Sequence, residues 1–307
     1  MRFRPAVEAD LDRLLACTVE DGISWADPER LKTFLADGQY RYERIWVAEQ
    51  DGRILARAVW WSFAGNPQPM ALDCVYVDAS VEDRVGLAAA LLTRAHEAYG
   101  ERPAYHVFLP NGWRERPRAA AAIAWRQEAA ARAGLTSELE RLRYAWTPDD
   151  PLPEPSRRLV FRHEDDDEVF AEAFRRVAEG TLDHETRQAL LTKDPLTQAR
   201  EDVEDYKQMP GDRAWWMLAH TPAGDLVGIA LPSANNGGPV VGYLGVVPEH
   251  RGRGYADDLL GEITRFLAGR GARRIAADTD RGNVPMARSF ERLGYRNYSI
   301  RLVLSAG

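Results

Sequence analysis

The stretch VVPEHRGRGYADDLL, residues 246–260, sets two arginines and two glycines between an apolar run and a segment of helical spacing. Residues 240–247 read as a strand, and Leu259, Leu260, Ile263 and Phe266 recur on one face of a helix over 254–267. Residues 251–254 are the joint between them. Such a joint exposes backbone N–H groups at a helix N-terminus, where they and the helix dipole bind anions. Gly252 and Gly254 let backbone approach a phosphate with no Cβ in the way, and Arg251 and Arg253 add charge, so a pyrophosphate is the fitting guest. The joint is not a Walker loop, because G-x-x-x-x-G-K-[ST] is absent. It is not a dinucleotide fingerprint either, because Gly252-Arg253-Gly254-Tyr255-Ala256-Asp257 lacks the third glycine where that motif needs it.

Outward from the joint, the second half reads as a strand at 158–163, helices at 166–179, 183–191 and 195–208, and strands at 214–220 and 225–233. An Asn-Asn-Gly-Gly turn at 235–238 then leads into the strand before the joint, and a further strand follows at 273–280. The same order of signals recurs in the first half, offset by roughly 160 to 170 residues, which is how a duplicated domain shows itself. FRP at 3–5 faces FRH at 161–163, and Asp27-Pro28 faces Asp194-Pro195, each a helix cap followed by proline. WVAEQDGRILARA (46–58) and WMLAHTPAGDLVGIA (216–230) both read as hairpins, while RAGL (132–135) and RLGY (292–295) each end a helix at glycine before a last strand. Between the halves, TPDDPLPEPS (147–156) holds four prolines in ten residues and suits an extended linker. The expected division is 1–147, a linker at 148–156, and 157–307, each half an α+β unit.

The bulk numbers agree with two domains, since 307 residues with 45% hydrophobic content exceed the usual size of one. Forty Lys and Arg against 47 Asp and Glu leave a formal charge of −7, which argues against nucleic acid as a partner and fits a cationic small substrate. Cys17 and Cys74 allow neither a disulfide framework nor a Cys-based zinc site, and no metal is expected. The acids of HEDDDE (163–168) complement a helix dipole instead. The N-terminus does not present a signal peptide, and no run of 18 apolar residues occurs, so the expectation is a cytoplasmic protein without a membrane partner, monomeric or homodimeric.

LGVVPEHRGRGYA resembles the acyl-CoA motif of the GNAT superfamily of N-acetyltransferases, Arg/Gln-x-x-Gly-x-Gly/Ala after a strand ending Leu-x-Val-x-Pro. Arg251, Gly254 and Ala256 match the first element, and Leu244, Val246 and Pro248 the second. Asn283 with Leu293-Gly294-Tyr295 matches a further family signature, so the resemblance spans 244–295. It implies two tandem GNAT domains, each a mixed, mostly antiparallel twisted sheet flanked by helices. It also implies that the CoA pyrophosphate sits on the amides of 251–256, including Gly252, Arg253, Tyr255 and Ala256, with Asn283 and Phe290 beside the cofactor. The pantetheine arm would lie between the strands at 240–247 and 273–280, held by amides near Val246 and Val247. A bulge near Leu244 or Gly245 would point an N–H at the thioester carbonyl, an oxyanion donor worth about 3 kcal/mol in a water-poor site. In the first half, LDCVYVDASVEDRVGLAAALL (72–92) has Asp78, Glu82, Asp83 and a lone Gly86 where phosphate needs donors. It reads as a degenerate repeat that scaffolds or walls the acceptor pocket, an arrangement similar to that of mycothiol synthases.

The resemblance implies transfer of acetyl from acetyl-CoA to an amine of a small molecule in the C-terminal domain. A protein or peptide amine, or a non-catalytic acyl-CoA-binding module, are the alternatives. Many family members carry a Tyr acid four residues before the final Gly, where this chain has Phe290, and Val240 stands where some place a base Glu. With a thiol pKa of about 8.5 the thiolate leaves with little help. Tyr243 or Tyr298 could supply the acid, and a water relay to Asp278 or Asp280 the base; packing and capping roles compete for all four.

Overall fold

The computed structural model describes residues 1–18, 23, 27–235 and 237–307, so Asn236 of the expected Asn-Asn-Gly-Gly turn lies outside the described residues. The first half runs β1 (Arg2–Pro5), α1 (Leu11–Leu15), α2 (Pro28–Ala36), β2 (Ile45–Gln50), β3 (Arg53–Trp61), β4 (Ala71–Val77), α3 (Arg84–Tyr99), β5 (Tyr105–Leu109), α4 (Pro117–Arg132) and β6 (Ser137–Trp146). The second runs β7 (Val160–His163), α5 (Asp167–Ala178), α6 (His184–Ala189), α7 (Pro195–Lys207), β8 (Met217–His220), β9 (Leu226–Asn235), β10 (Gly238–Val246), α8 (Tyr255–Gly269), β11 (Ile275–Asp280), α9 (Val284–Arg292) and β12 (Arg296–Ser305). Helix starts follow the capping chemistry of the sequence. Asp27 accepts the Arg30 N–H at the start of α2, and Asp194 accepts the Thr197 N–H at the start of α7, each just before a proline. Among the described residues no helix is long and apolar enough to cross a membrane.

The two compact units do not divide at the proline-rich segment. One comprises 1–140 with 299–307, the other 141–298. The strand order is β1-β2-β3-β4-β5-β12 in the first and β6-β11-β10-β9-β8-β7 in the second. Within each, only β4 with β5 and β10 with β11 pair in parallel, among the registers described. The last strand of each unit is thus contributed by the other half of the sequence: Ile300–Leu304 pairs with β5, and Arg141–Trp146 with β11. The boundary expected at 148–156 is corrected accordingly. That segment packs within the second unit, where Asp150 accepts the Thr147 N–H at 3.1 Å and the Pro151 carbonyl takes the Trp146 indole N–H at 3.1 Å.

The sheet of the second unit has a core on each face. Met217, Ala219 and Ala230 join Leu259, Leu260, Ile263 and Phe290 from α8 and α9, while Trp216, Leu218, Ile229 and Leu231 join Phe170, Phe174, Ala199 and Val203 from α5 and α7. The alternation of side chains along β8 produces this division directly. Tyr144 and Trp146 of β6 complete the first of these cores, and Tyr144 stacks on Phe290 with ring centroids 5.0 Å apart.

Candidate functional site

A cavity of about 1130 Å³ opens in the second unit where β10 and β11 part. Their ladder consists of Val240↔Ala276 among the described residues; beyond it, 241–246 line the cavity on one side and Asp278 and Thr279 on the other. In a strand, successive residues turn their N–H and C=O groups to opposite neighbours, so alternate groups of 241–246 face the gap that β11 leaves. The pairing of β10 with β9 slips between Val241 and Tyr243, which makes Gly242 the extra residue of a bulge. A Cβ there would lie 2.6 Å from Leu231 and 2.7 Å from Ser233, so glycine permits the distortion. The bulge expected at Leu244 or Gly245 is two to three residues away from this one. Gly245 has another use: Val177 of α5 packs on its Cα, where a Cβ would meet it at 2.2 Å.

The joint continues the cavity wall through Arg251, Gly252, Gly254, Tyr255 and Ala256. Gly252 and Gly254 have φ of +74° and +77°, and none of the described residues lies within 4 Å of a Cβ placed on Gly252. Helix α8 begins at this point with glycine as its cap residue, so no cap side chain takes up its first N–H groups, and no other side chain among the described residues does so. Uncapped N–H groups, left-handed glycines and open space together fit a phosphate. The corresponding helix of the first unit is closed to such a guest, because Asp83 caps α3 by accepting the Gly86 N–H at 2.8 Å and Asp78 accepts the Ser80 N–H at 2.9 Å. The acids of the first turn of α8 are turned elsewhere: Asp257 binds Ser289 and Arg292, and Asp258 binds Ser156 and Arg158.

The arginines of the joint depart from expectation. Arg251 gives its Nε–H to the Val246 carbonyl at 3.0 Å, and its terminal nitrogens donate to the carbonyls of Val177 at 2.7 Å and Glu179 at 2.6 Å. Its charge therefore meets the C-terminal end of α5, where helix carbonyls lack intrahelical partners. Arg253 is exposed and lies outside the cavity, in a shallower hollow with Arg157 and Arg158. Arg158, which sequence reading passed over, donates to the Arg253 carbonyl at 2.9 Å and sits over the Tyr255 ring at 4.7 Å. Val247 is buried in the core and its N–H goes to the Val227 carbonyl at 2.9 Å, so this amide is not free for a ligand.

Tyr243, Leu244 and Val246 line the cavity, as do Asn283, which caps α9, and Phe290, whose face is stacked on Tyr144. The Tyr243 ring lies 4.8 Å from Phe174 and 5.7 Å from Tyr206. Burial first, then Tyr206, Asp183 and Asp202, push its hydroxyl well above the ordinary phenol value. Asp278 lines the cavity 3.4 Å from Arg143, whereas Asp280 is buried behind it, accepting the His184 N–H at 2.7 Å and lying 3.3 Å from Arg141. Tyr298 stands apart from the cavity, exposed, beneath Arg143 and Arg274.

What the sequence reading missed is the acidic part of the lining. Asp183, Glu185, Glu201, Asp202 and Asp205, from α6, α7 and the turn before them, line the cavity together with Asp278; of the cations that also line it, Arg141 pairs with Glu185 at 3.1 Å and Lys193 with Glu201. Burial alone would lower the Arg141 guanidinium, yet Glu185, Asp280, Asp278 and Asp183 hold it above its ordinary value. Asp202 is raised, by burial first and then by Asp205, Asp183 and Glu201, against a hydrogen bond from Gln198 at 2.8 Å. Spacing offered a partial signal, since Gln198, Asp202 and Asp205 share a helix face at intervals of four and three residues. Helix α7 alone does not show which way that face points.

Residues 183–295 match the model of the acetyltransferase (GNAT) family. Among solved structures, the chain is similar to a GCN5-related N-acetyltransferase from Sphaerobacter thermophilus, with 20% identity over 98% of this chain and 94% of that one and a TM-score of 0.56. It is also similar to a GNAT-family acetyltransferase from Colwellia psychrerythraea, with 10% identity over the full length of both and a TM-score of 0.51. A GCN5-related glucosamine N-acetyltransferase region of a fungal multi-domain β-N-acetylglucosaminidase aligns with 98% of this chain and 38% of that one, at 13% identity and a TM-score of 0.57. These are likenesses of fold, and they extend over both halves of the chain.

Proposed function

We propose that this protein, whose residues 183–295 match the acetyltransferase (GNAT) family model, transfers acetyl from acetyl-CoA to an amine of a small cationic molecule. The observation that carries this reading is one cavity with two chemically opposite walls. One part of its lining is the start of α8 and the stretch of β10 beyond its ladder with β11, and another is the carboxylates of Asp183, Glu185, Asp202 and Asp205. The first suits a phosphate followed by an amide-bearing arm, the second an ammonium group.

Acetyl-CoA supplies the activated acetyl thioester. The N–H groups at 252–256 bind its pyrophosphate, and N–H groups of 241–246 orient the arm and the thioester carbonyl. Asp202, on the acidic wall, takes the proton that the ammonium must lose before its nitrogen can attack. A C–N bond then forms as the C–S bond breaks; the Tyr243 hydroxyl, which retains its proton at neutral pH, delivers it to the departing sulfur, and the resulting phenolate recovers a proton from the newly acylated nitrogen, which must shed its second proton to become an amide. Unit 1, whose α3 N-terminus is closed by its own aspartates, binds no CoA in this scheme.

The test is a panel of mono-, di- and polyamines and N-terminal peptides with acetyl-CoA, read as thiol release above hydrolysis. Release with small di- or polyamines is the expected result. Release with peptides alone would replace the acceptor, and acetyl-CoA binding without release for any amine would make the protein a binding module.

A further inference from the structure

Arg251 occupies the first position of the phosphate-binding pattern, yet its guanidinium faces four carbonyls of its own chain: Val246 at 3.0 Å, Val177 at 2.7 Å, Glu179 at 2.6 Å and Gly180 at 3.3 Å. Val246 ends β10. The other three carbonyls belong to the end of α5 and the turn beyond it, which leads through Thr181 and Leu182 to Asp183 at the head of α6. That turn lines the cavity, and its far end is held by the His184 N–H on Asp280. The near end is held by Arg251 and by Val177 packed on Gly245.

We propose that Arg251 is a positioning residue that fixes the acidic wall at a set separation from the end of β10, and that its charge does not serve the phosphates. A guanidinium satisfies this geometry because its planar fork delivers several N–H donors in fixed directions, which an ammonium on a flexible stem does not. The carbonyls it meets carry the negative end of the α5 dipole, so its charge is compensated there. The proposal rests on the acetyl-transfer reading for the meaning of the wall, but the clamp itself is a property of the free protein.

The test compares Arg251→Lys and Arg251→Gln with the unaltered full chain. Hydrogen exchange is followed over 180–184, with β9 amides as the reference for intact folding, and the acetyl-CoA Kd is measured by calorimetry. If Arg251 positions, both variants exchange at least about tenfold faster over 180–184 with β9 unchanged, and their Kd values agree within about threefold of each other. The proposal is overturned if Arg251→Lys keeps the original Kd while Arg251→Gln weakens it by about tenfold or more, the pattern of a phosphate charge. Unchanged exchange over 180–184 in both variants would overturn it equally. Failure of the unaltered chain to bind acetyl-CoA would defeat the acetyl-transfer reading and leave exchange to decide on the clamp.

Discussion

A tyrosine hydroxyl that is buried among other aromatic rings and near carboxylates keeps its proton, because burial and nearby negative charge disfavour phenolate. Tyr243 is in that position, 4.8 Å from Phe174 by ring centroid, with its hydroxyl raised by burial first and then by Tyr206, Asp183 and Asp202. An acid that protonates a leaving thiolate needs that property. Tyr243→Phe keeps the ring and removes the proton, so kcat should fall by about 10²-fold or more with acetyl-CoA affinity little changed. Retained kcat would leave departure of the thiolate unassisted. In the proposed reaction Asp202 takes the other proton, and its shift would then set the pH dependence. Its folded pKa is raised, so protonation blocks it as a base over a range extending above the ordinary carboxylate value of about 4. Activity should therefore climb with pH through that raised value, and Asp202→Asn should remove the limb as well as lower kcat. The same sign governs stability: a raised carboxyl stabilises the fold fully below its unfolded pKa, and this is lost as pH rises through the folded one. Asp202→Asn should accordingly gain Tm relative to the parent at pH 8 but not at pH 4. An unchanged acid limb in the pH–rate profile would remove Asp202 from the mechanism. The sequence offered Tyr243 as one of two candidate acids but did not offer Asp202 as a base, since only the folded chain shows that Asp202 of α7 and Tyr243 of β10 line one cavity.

The strand–joint–helix element was legible because each of its parts has a local cause: apolar alternation for β10, left-handed glycines at the joint, and a helical stripe for α8. Gly254 has φ +77° and faces the cavity, while Gly100 has φ +73° at the end of α3 in the first unit. A left-handed position costs a non-glycine residue on the order of 1–2 kcal/mol wherever it occurs. Gly254→Val and Gly100→Val should thus lose comparable Tm. The valine at 254 alone should also weaken acetyl-CoA by about tenfold or more, because it places a branched side chain where the proposed binding mode brings backbone to phosphate. Equal losses of affinity at both positions would mean that this joint is not the phosphate site. Two details of the element escaped the sequence because neighbours set them. Gly242 carries the bulge on account of Leu231 and Ser233 of β9, and the Val247 N–H is committed to Val227. A strand read by itself shows neither.

For the whole molecule, the duplicated order of elements was visible in the sequence, but the exchange of last strands was not. β6 and β12 have similar patterns and similar places in their halves, and pairing between strands far apart in sequence leaves no local mark. The prolines at 148–156 point to the middle of the sequence, whereas the units are closed by Ile300–Leu304 on β5 and Arg141–Trp146 on β11. This changes what a cut at the linker does. A fragment of 157–307 keeps the joint and most of the cavity, yet it lacks Arg141 of the cavity wall and Tyr144 and Trp146 of the core around Phe290. Removing two large buried aromatics costs about 3–5 kcal/mol each, a large share of the roughly 5–15 kcal/mol that holds a domain folded. It also leaves β11 as an unpaired edge, open to association with other chains. The fragment should fail to unfold cooperatively, or should aggregate. One of 137–298, which restores β6 and omits the part of β12 that belongs to the first unit, should unfold cooperatively and bind acetyl-CoA within about tenfold of the full chain. Thermal unfolding and calorimetry on the two fragments decide the matter. A monomeric, cooperatively folded 157–307 with full acetyl-CoA affinity would show that the exchanged strand is dispensable, and the division read from the prolines would then stand.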